Sequence, residues 1–296
     1  MTGPEAARLH PEAAGARAPA PPAGRAGRPE RPERDVGLAD AEPAFLGSIR
    51  RAGKRVLLGV VDRGWFGFTP LQTHVVVCGF PRSGSTLLQL MVETCVEGAK
   101  VFGRETRALR MARYAWRNHA VMVTKRPGDI YWIDEIREFY EGRRAKVRFV
   151  LTTRDPRAVL TSLHARTANQ GQHVTPEAWR TYYAHFEYAR RFPDTLVVDF
   201  ADLVGDAPAV ARRLTEFTGW TVSRPFEEFH LAASSDTFDA VALNGIRPLD
   251  RGAVDRWRRP AHREDVRRLL RQLPELPERL IAMGYEPDTE WVREYA

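Results

Sequence analysis

From His74 onward the chain alternates short apolar runs with longer stretches whose apolar residues recur at helical spacing, and few folds accept that alternation. A strand, a helix and a second strand in succession form a unit whose strands pair in parallel, with the helix lying across the sheet. The expected strands are Val75–Cys78, Val121–Thr124, Val147–Thr152 and Thr195–Val198. The expected helices are Ser85–Val96, Thr106–Arg117, Asp129–Tyr140, Pro156–Arg166, Pro176–Phe192, Pro208–Phe217 and Arg263–Met283. No internal repeat interrupts the pattern. The fold class that follows is α/β, a parallel sheet flanked by helices on both faces.

The first strand runs directly into GFPRSGST, Gly79 to Thr86, which has glycine, four residues, then glycine, and ends on Ser85 and Thr86. In a strand–loop–helix unit the backbone N–H groups of Ser83 to Leu87 surround an anion, with the positive end of the helix dipole behind them. Gly84 lets the backbone approach closely, Ser85 and Thr86 add hydroxyl donors, and Arg82 offers a charged fork suited to phosphate or sulfate oxygens. The loop is P-loop-like, but Ser85 stands where a nucleotide-hydrolysing P-loop has lysine. Triphosphate chemistry is correspondingly disfavoured, since that lysine bridges the phosphates at the scissile end. A tight structural turn would use the same residues, so the loop alone does not define a site.

Charge points to anionic ligands. The chain has 296 residues and a formal net charge of +7. Residues 1–40 contribute nothing to that excess, because six arginines (Arg8, Arg17, Arg25, Arg28, Arg31 and Arg34) are matched by six acids. The basic surplus therefore lies on the folded part, as expected of a protein that meets nucleotides, sulfated or phosphorylated acceptors, nucleic acid or a membrane surface. Residues 1–43 are rich in Pro, Ala, Gly and Arg, with almost nothing apolar larger than alanine, and are read as a disordered tail. Residues 44–72 follow as a basic amphipathic lead-in helix, with Phe45, Ile49, Val56 and Val60 near helical spacing among Arg50, Arg51, Lys54 and Arg55. Its apolar face either packs on the domain or makes peripheral membrane contact through residues 45–68. The catalytic domain is placed at 73–296. Cys78 and Cys95 make neither a disulfide framework nor a metal site. No apolar signal core opens the chain, and VLLGVV (Val56–Val61) is too short to span a bilayer, so the expected location is cytoplasmic.

A second motif, FVLTTRDPRAVLTSLHAR, places Arg154 just beyond a strand and Ser162 two turns into the next helix, near enough to converge on one anion. Asp155 beside Arg154 also suits a helix-capping ion pair. In this order and spacing the two motifs resemble the sulfotransferases that use 3′-phosphoadenosine 5′-phosphosulfate, from about Val75 to Trp257. That resemblance implies that Arg82, Ser83, Gly84, Ser85 and Thr86 hold the 5′-phosphosulfate, that Arg154, Ser162 and Arg166 hold the 3′-phosphate, and that no metal takes part. It is nearest to the branch containing tyrosylprotein sulfotransferases and bacterial relatives, where a glutamate downstream of proline-arginine-serine-glycine is the general base. GRETR supplies it here as Glu105, which also suits the start of a helix. Lys125, ending the strand in VTKRP, resembles the family lysine that stabilises charge on the leaving group's bridging oxygen. IRPLDRGAVDRWRR resembles the late loop that closes over the donor, which nominates Arg256 and more weakly Arg247 and Gly252.

Two departures stand out. Phe200 and Ala201 occupy the family's tyrosine-glutamate pair, so the ring keeps a possible place near adenine but lacks the hydroxyl. The family's serine before the late loop has no counterpart. The implied function is sulfuryl transfer from 3′-phosphoadenosine 5′-phosphosulfate to a glycan, phenolic or lipid-linked hydroxyl. A metabolite kinase needs lysine at Ser85, and a non-enzymatic module binding nucleic acid or anionic lipid needs aromatic and basic residues interleaved on a strand surface. Neither feature is present, although RWRRPAHREDVRRLLRQ is basic enough to keep the second alternative open, and nucleic acid is not an expected partner. The acceptor pocket is expected from residues 107–117, 166–179 and 232–245.

Overall fold

The computed structural model describes residues 27–32, 59–60, 63–103, 105–113, 118–162, 174–233 and 245–295. Five strands, β1 (Thr73–Gly79), β2 (Ala99–Val101), β3 (Val121–Lys125), β4 (Lys146–Thr153) and β5 (Thr195–Asp199), form one parallel sheet in the order β2-β3-β1-β4-β5. All four expected strands are present, each slightly longer than its apolar run. β2 is the addition: three residues centred on Lys100 are too short and too polar to read as a strand.

Register brings the strand ends together. Val77 of β1 lies opposite Lys125 of β3 and Val150 of β4, and Thr153 of β4 lies opposite Asp199 of β5. Gly79, Lys125, Thr153 and Asp199 therefore emerge along one edge. β1 is central, and the chain fills the β3 side before crossing to β4, so this carboxyl edge contains a topological switch point, where ligands of such sheets sit.

The described helices are α1 (Ser85–Cys95), α2 (Ala108–Ala112), α3 (Ile133–Tyr140), α4 (Pro156–Leu160), α5 (Pro176–Ala189), α6 (Phe200–Gly205), α7 (Ala207–Thr218), α8 (Phe229–Ala232), α9 (Arg263–Gln272) and α10 (Leu276–Ala282). Successive strand residues face opposite ways. Val76, Cys78, Phe149 and Leu151 pack on one side with α3, α5, α9 and α10, while Val75, Val77 and Val150 pack on the other with α1, α6 and α7. The sheet is thus covered on both faces.

Several expectations change. The single helix expected over Arg263–Met283 is two, because Pro274 has no N–H to donate and its ring collides with the preceding turn; the chain resumes as a helix at Leu276 with Pro277 in its first turn. The helix from Pro156 ends at Leu160, so Ser162 lies beyond its end rather than within it. The helix expected over Thr106–Arg117 is confined to Ala108–Ala112, and a 3-10 turn, Pro127–Trp132, precedes α3. Residues 27–32 lie within the stretch read as disordered, yet they are seated on the domain. Apolar content misjudged them because arginines, not apolar side chains, make the contact. The rest of that stretch, with 44–58 and 61–62 of the lead-in, lies outside the described residues. Among the described residues no helix is long and apolar enough to cross a membrane.

Candidate active site

The turn from β1 to α1 is shaped by two glycines and one strained arginine. Gly79 has φ +122°, and a Cβ there would lie 2.4 Å from the Thr152 carbonyl oxygen, so only glycine lets β1 leave the sheet this close to β4. Gly84 has φ +85°, and its Cβ would lie 2.6 Å from Cδ2 of Phe200. Gly84 thus admits the Phe200 ring against the loop. Arg82 adopts φ +63° without being glycine, a conformation that costs an L-residue about 1–2 kcal/mol. The Ser83 hydroxyl is buried and donates to the Phe80 carbonyl at 2.5 Å, with Thr152 Oγ1 2.6 Å away. Ser83 therefore fastens the loop to β4.

α1 begins immediately. Its first helical bond runs from Leu88 N–H to the Gly84 carbonyl at 2.9 Å, which leaves the N–H groups of Ser85, Thr86 and Leu87 without helical acceptors. No side chain caps this end. Those donors and the helix dipole make a seat for an anion.

Three of the predicted residues meet beside it. Arg82 donates from Nε to Ser162 Oγ at 3.0 Å, linking the two motifs across the β1–β4 edge. Arg154 leaves the end of β4 and donates to the carbonyls of Arg82 (3.2 Å) and Ala253 (2.6 Å), with its guanidinium 4.2 Å from the Phe200 ring centre. Its Nε is buried without a hydrogen bond, as is that of Arg256. Burial pushes the Arg154 pKa down to about 10, with Arg82 and Arg256 adding repulsion and Asp155 and Asp199 opposing it. Burial also lowers Arg82. A buried guanidinium with an orphaned donor and cationic neighbours fits an anionic ligand. Phe200 carries Arg154 on its ring and packs against Gly84.

Asp155 does not pair with Arg154. It caps α4 by accepting the Arg157 N–H at 2.8 Å and also binds the Arg157 guanidinium at 2.8 Å. Arg157, fully buried, pairs with Glu286 at 2.6 Å and lies 3.7 Å from the Trp257 ring and 4.5 Å from that of Trp291. This anchors Trp257 and with it the late loop. The adjacent Arg256 reaches Asp250 at 2.5 Å, which draws the loop's two ends together.

On the β3 side, Lys125 Nζ lies 3.5 Å from Glu105 Oε1; the lysine is buried (6 % exposed) and the carboxylate open (58 %). Thr106 N–H bonds the Lys125 carbonyl at 3.0 Å, and Asp129 accepts the Ala108 N–H at 2.8 Å, so Glu105 precedes α2 at a fixed place. Arg166 lies outside the described residues, as do residues 114–117, 167–173 and 234–244 of the expected acceptor pocket.

Asp199, Tyr285 and Thr153 were not foreseen. Asp199 accepts hydrogen bonds from Tyr285 and from the Ala201 N–H, and Tyr285 Oη lies 3.3 Å from Thr153 Oγ1. Burial pushes the Asp199 carboxyl up to about 6 against those hydrogen bonds. Aspartate at a strand end before FADL signals a helix cap, but Tyr285 is 86 residues away and carries no local sign.

The class is now defined: a P-loop-like α/β domain with an uncapped helix end, arginines beside it and Ser85 in the lysine position. Residues 93–224 match the model described as the Sulfotransferase family. The match includes Glu105, Lys125, Arg154 and Ser162, but neither the cradle at 82–86 nor Arg256. Two solved structures are similar: the sulfotransferase domain of the Synechococcus PCC 7002 olefin synthase and the sulfotransferase domain from the curacin biosynthetic pathway. The first is 18% identical and covers 64% of this chain and 88% of that one, with a TM-score of 0.48. The second is 15% identical and covers 70% and 98%, with a TM-score of 0.46. No curated protein sequence matches.

Proposed function

We propose that this sulfotransferase moves a sulfuryl group from 3′-phosphoadenosine 5′-phosphosulfate to an acceptor hydroxyl, leaving adenosine 3′,5′-bisphosphate. The observation that carries the proposal is the meeting of Arg82, Ser162 and Arg154 beside the open N-terminus of α1, with Ser85 in the lysine position. The donor supplies an activated sulfuryl group. The N–H groups of Ser83 to Leu87, the Ser85 and Thr86 hydroxyls and Arg82 would hold its 5′ end, while Arg154 and Ser162, with Arg166, would hold its 3′-phosphate. Lys125 would stabilise the charge that develops on the leaving oxygen. Glu105 would take the acceptor proton, and its ion pair with Lys125 keeps base and cation on the same side of the site. Incubating the chain with sulfur-labelled donor and a mixed cell extract tests this: label should appear in a sulfate ester, and its absence from every acceptor would overturn the proposal.

The acceptor remains a hydroxyl of a glycan, phenolic or lipid-linked compound. Contact with a lipid surface is supported by Trp65 and Phe66, 54 % and 88 % exposed at the end of the basic lead-in, with Arg63 over the Trp65 ring. Loss of cosedimentation with anionic vesicles in the Trp65→Ala/Phe66→Ala variant is the expected sign of that contact; wild type that stays in the supernatant would exclude it.

A further inference from the structure

Gly27 to Pro32 cross the outer side of the 3-10 turn Pro127–Trp132, α3 and α5. Arg28 forks onto Glu135, from Nη1 to Oε1 at 2.9 Å and from Nη2 to Oε2 at 3.0 Å, and Nη2 also donates to the Tyr131 carbonyl at 2.8 Å. Its Nε lies 3.3 Å from Asp134 Oδ2. Arg31 donates from Nε to the same Tyr131 carbonyl at 2.8 Å, pairs with Glu135 through Nη2, and lays its guanidinium 4.0 Å from the Trp132 ring centre. Between the two arginines the Glu30 carbonyl faces His185 Nε2 at 3.1 Å.

Sulfuryl transfer uses none of these residues. The groove is nevertheless built: Tyr188 of α5 donates to Asp134 at 3.1 Å, and Arg137 lies 3.4 Å from the same carboxylate, so the acids are positioned from within the domain. The ligand is suited to it as well. Arg28 and Arg31 each precede a proline, which steers them to extended backbone and reduces the entropy lost on docking. In an extended chain with three residues per turn, positions three apart share a face. Two arginines at that spacing can therefore meet one carboxylate and one carbonyl together.

We infer that this groove is a recognition site for an extended arginine–proline peptide, and that residues 28–31 are its tethered ligand. Guanidinium forks onto Glu135 and the Tyr131 carbonyl give affinity, and Trp132 and His185 select for a cation and a carbonyl at fixed spacing. The groove shares the 3-10 turn Pro127–Trp132 with the active-site side of the sheet. Tyr131 belongs to the turn whose Asp129 holds the Ala108 N–H, and Arg126, next to Lys125, anchors that turn to the Val77 carbonyl at 3.0 Å. Occupancy thus bears on the element that connects Lys125 to Glu105.

The test uses the full chain. In the Arg28→Ala/Arg31→Ala variant the tethered segment loses its forks, and a fluorescein-labelled peptide of residues 27–34 should bind saturably by polarisation. Wild type should bind it at least about tenfold more weakly, because a tethered segment competes at millimolar effective concentration. The same peptide with both groove-binding arginines replaced by alanine should bind the variant about ten- to a hundredfold more weakly, the scale of lost charge-assisted hydrogen bonds. That control leaves the protein unchanged, so it does not depend on a groove variant folding. Adding Glu135→Arg to the double variant should also abolish binding, with circular dichroism confirming the fold. Equal binding by wild type and the double variant, or equal binding of the two peptides, would overturn the inference.

Discussion

Replacing Gly84 with alanine separates two costs that the structure assigns to the cradle. At φ +85° an alanine is in the left-handed region, at about 1–2 kcal/mol. Its Cβ would also lie 2.6 Å from Cδ2 and 3.3 Å from Cε2 of the buried Phe200 ring. Forcing a methyl group into such a packed site costs about 1–3 kcal/mol, so Gly84→Ala should destabilise the chain by about 2–5 kcal/mol in all. Only the second part depends on the ring. In a Phe200→Leu background the overlap falls away while the backbone strain stays, so the same substitution should cost about 1–2 kcal/mol. Equilibrium urea unfolding of wild type, both single variants and the double variant gives the coupling energy, expected at about 1–3 kcal/mol. If the two substitutions add to within about 0.5 kcal/mol, as independent sites do, Gly84 is not glycine for the sake of Phe200, and the shape argued for the loop is wrong.

Glu105→Gln should leave bisphosphate affinity nearly unchanged while turnover falls about a hundredfold to ten-thousandfold; normal turnover would make Glu105 a helix-start residue only. Arg154→Ala should weaken adenosine 3′,5′-bisphosphate by about ten- to a hundredfold beyond any loss for adenosine 5′-phosphosulfate, which has no 3′-phosphate. The comparison matters because Arg154 also supports the Arg82 and Ala253 carbonyls, and an equal loss for both ligands would leave it only that role. Asp199, at about 6 when folded and near 4 when unfolded, holds a proton in the folded chain that the unfolded chain has already lost. Stability from this group is therefore present below about pH 4 and lost as pH rises through about 6, by about 3 kcal/mol. The stability of wild type relative to Asp199→Asn should fall over that window in urea titrations, and parallel pH profiles would refute the assignment.

The sheet was legible because its four principal strands are continuous apolar runs, and a parallel sheet covered on both faces requires such runs. β2 was not, since Ala99–Val101 has a lysine at its centre and is held by pairing with β3 rather than by its own pattern. The cradle was legible as a local motif, but the purpose of Gly84 was not, because the ring it admits comes from Phe200, over a hundred residues later. The same limit hid Tyr285 from Asp199, and Arg157 from Trp257 and Trp291. Pro274 was visible in the sequence, yet the strong amphipathic pattern on both sides of it outweighed its breaking effect. In the tail, counting apolar residues missed an attachment made by Arg28 and Arg31, whose partners lie on α3 and the turn before it.

The central claim is an anion seat that takes a 3′,5′-bisphosphorylated adenosine without metal. Isothermal calorimetry of the full chain in chelator, with adenosine 3′,5′-bisphosphate and then ATP, tests it most directly. Magnesium-independent binding of the bisphosphate, markedly tighter than that of ATP, is the predicted result. Magnesium-dependent ATP binding with no bisphosphate heat would contradict the account, because the arginines beside α1 would then serve a triphosphate despite the missing lysine.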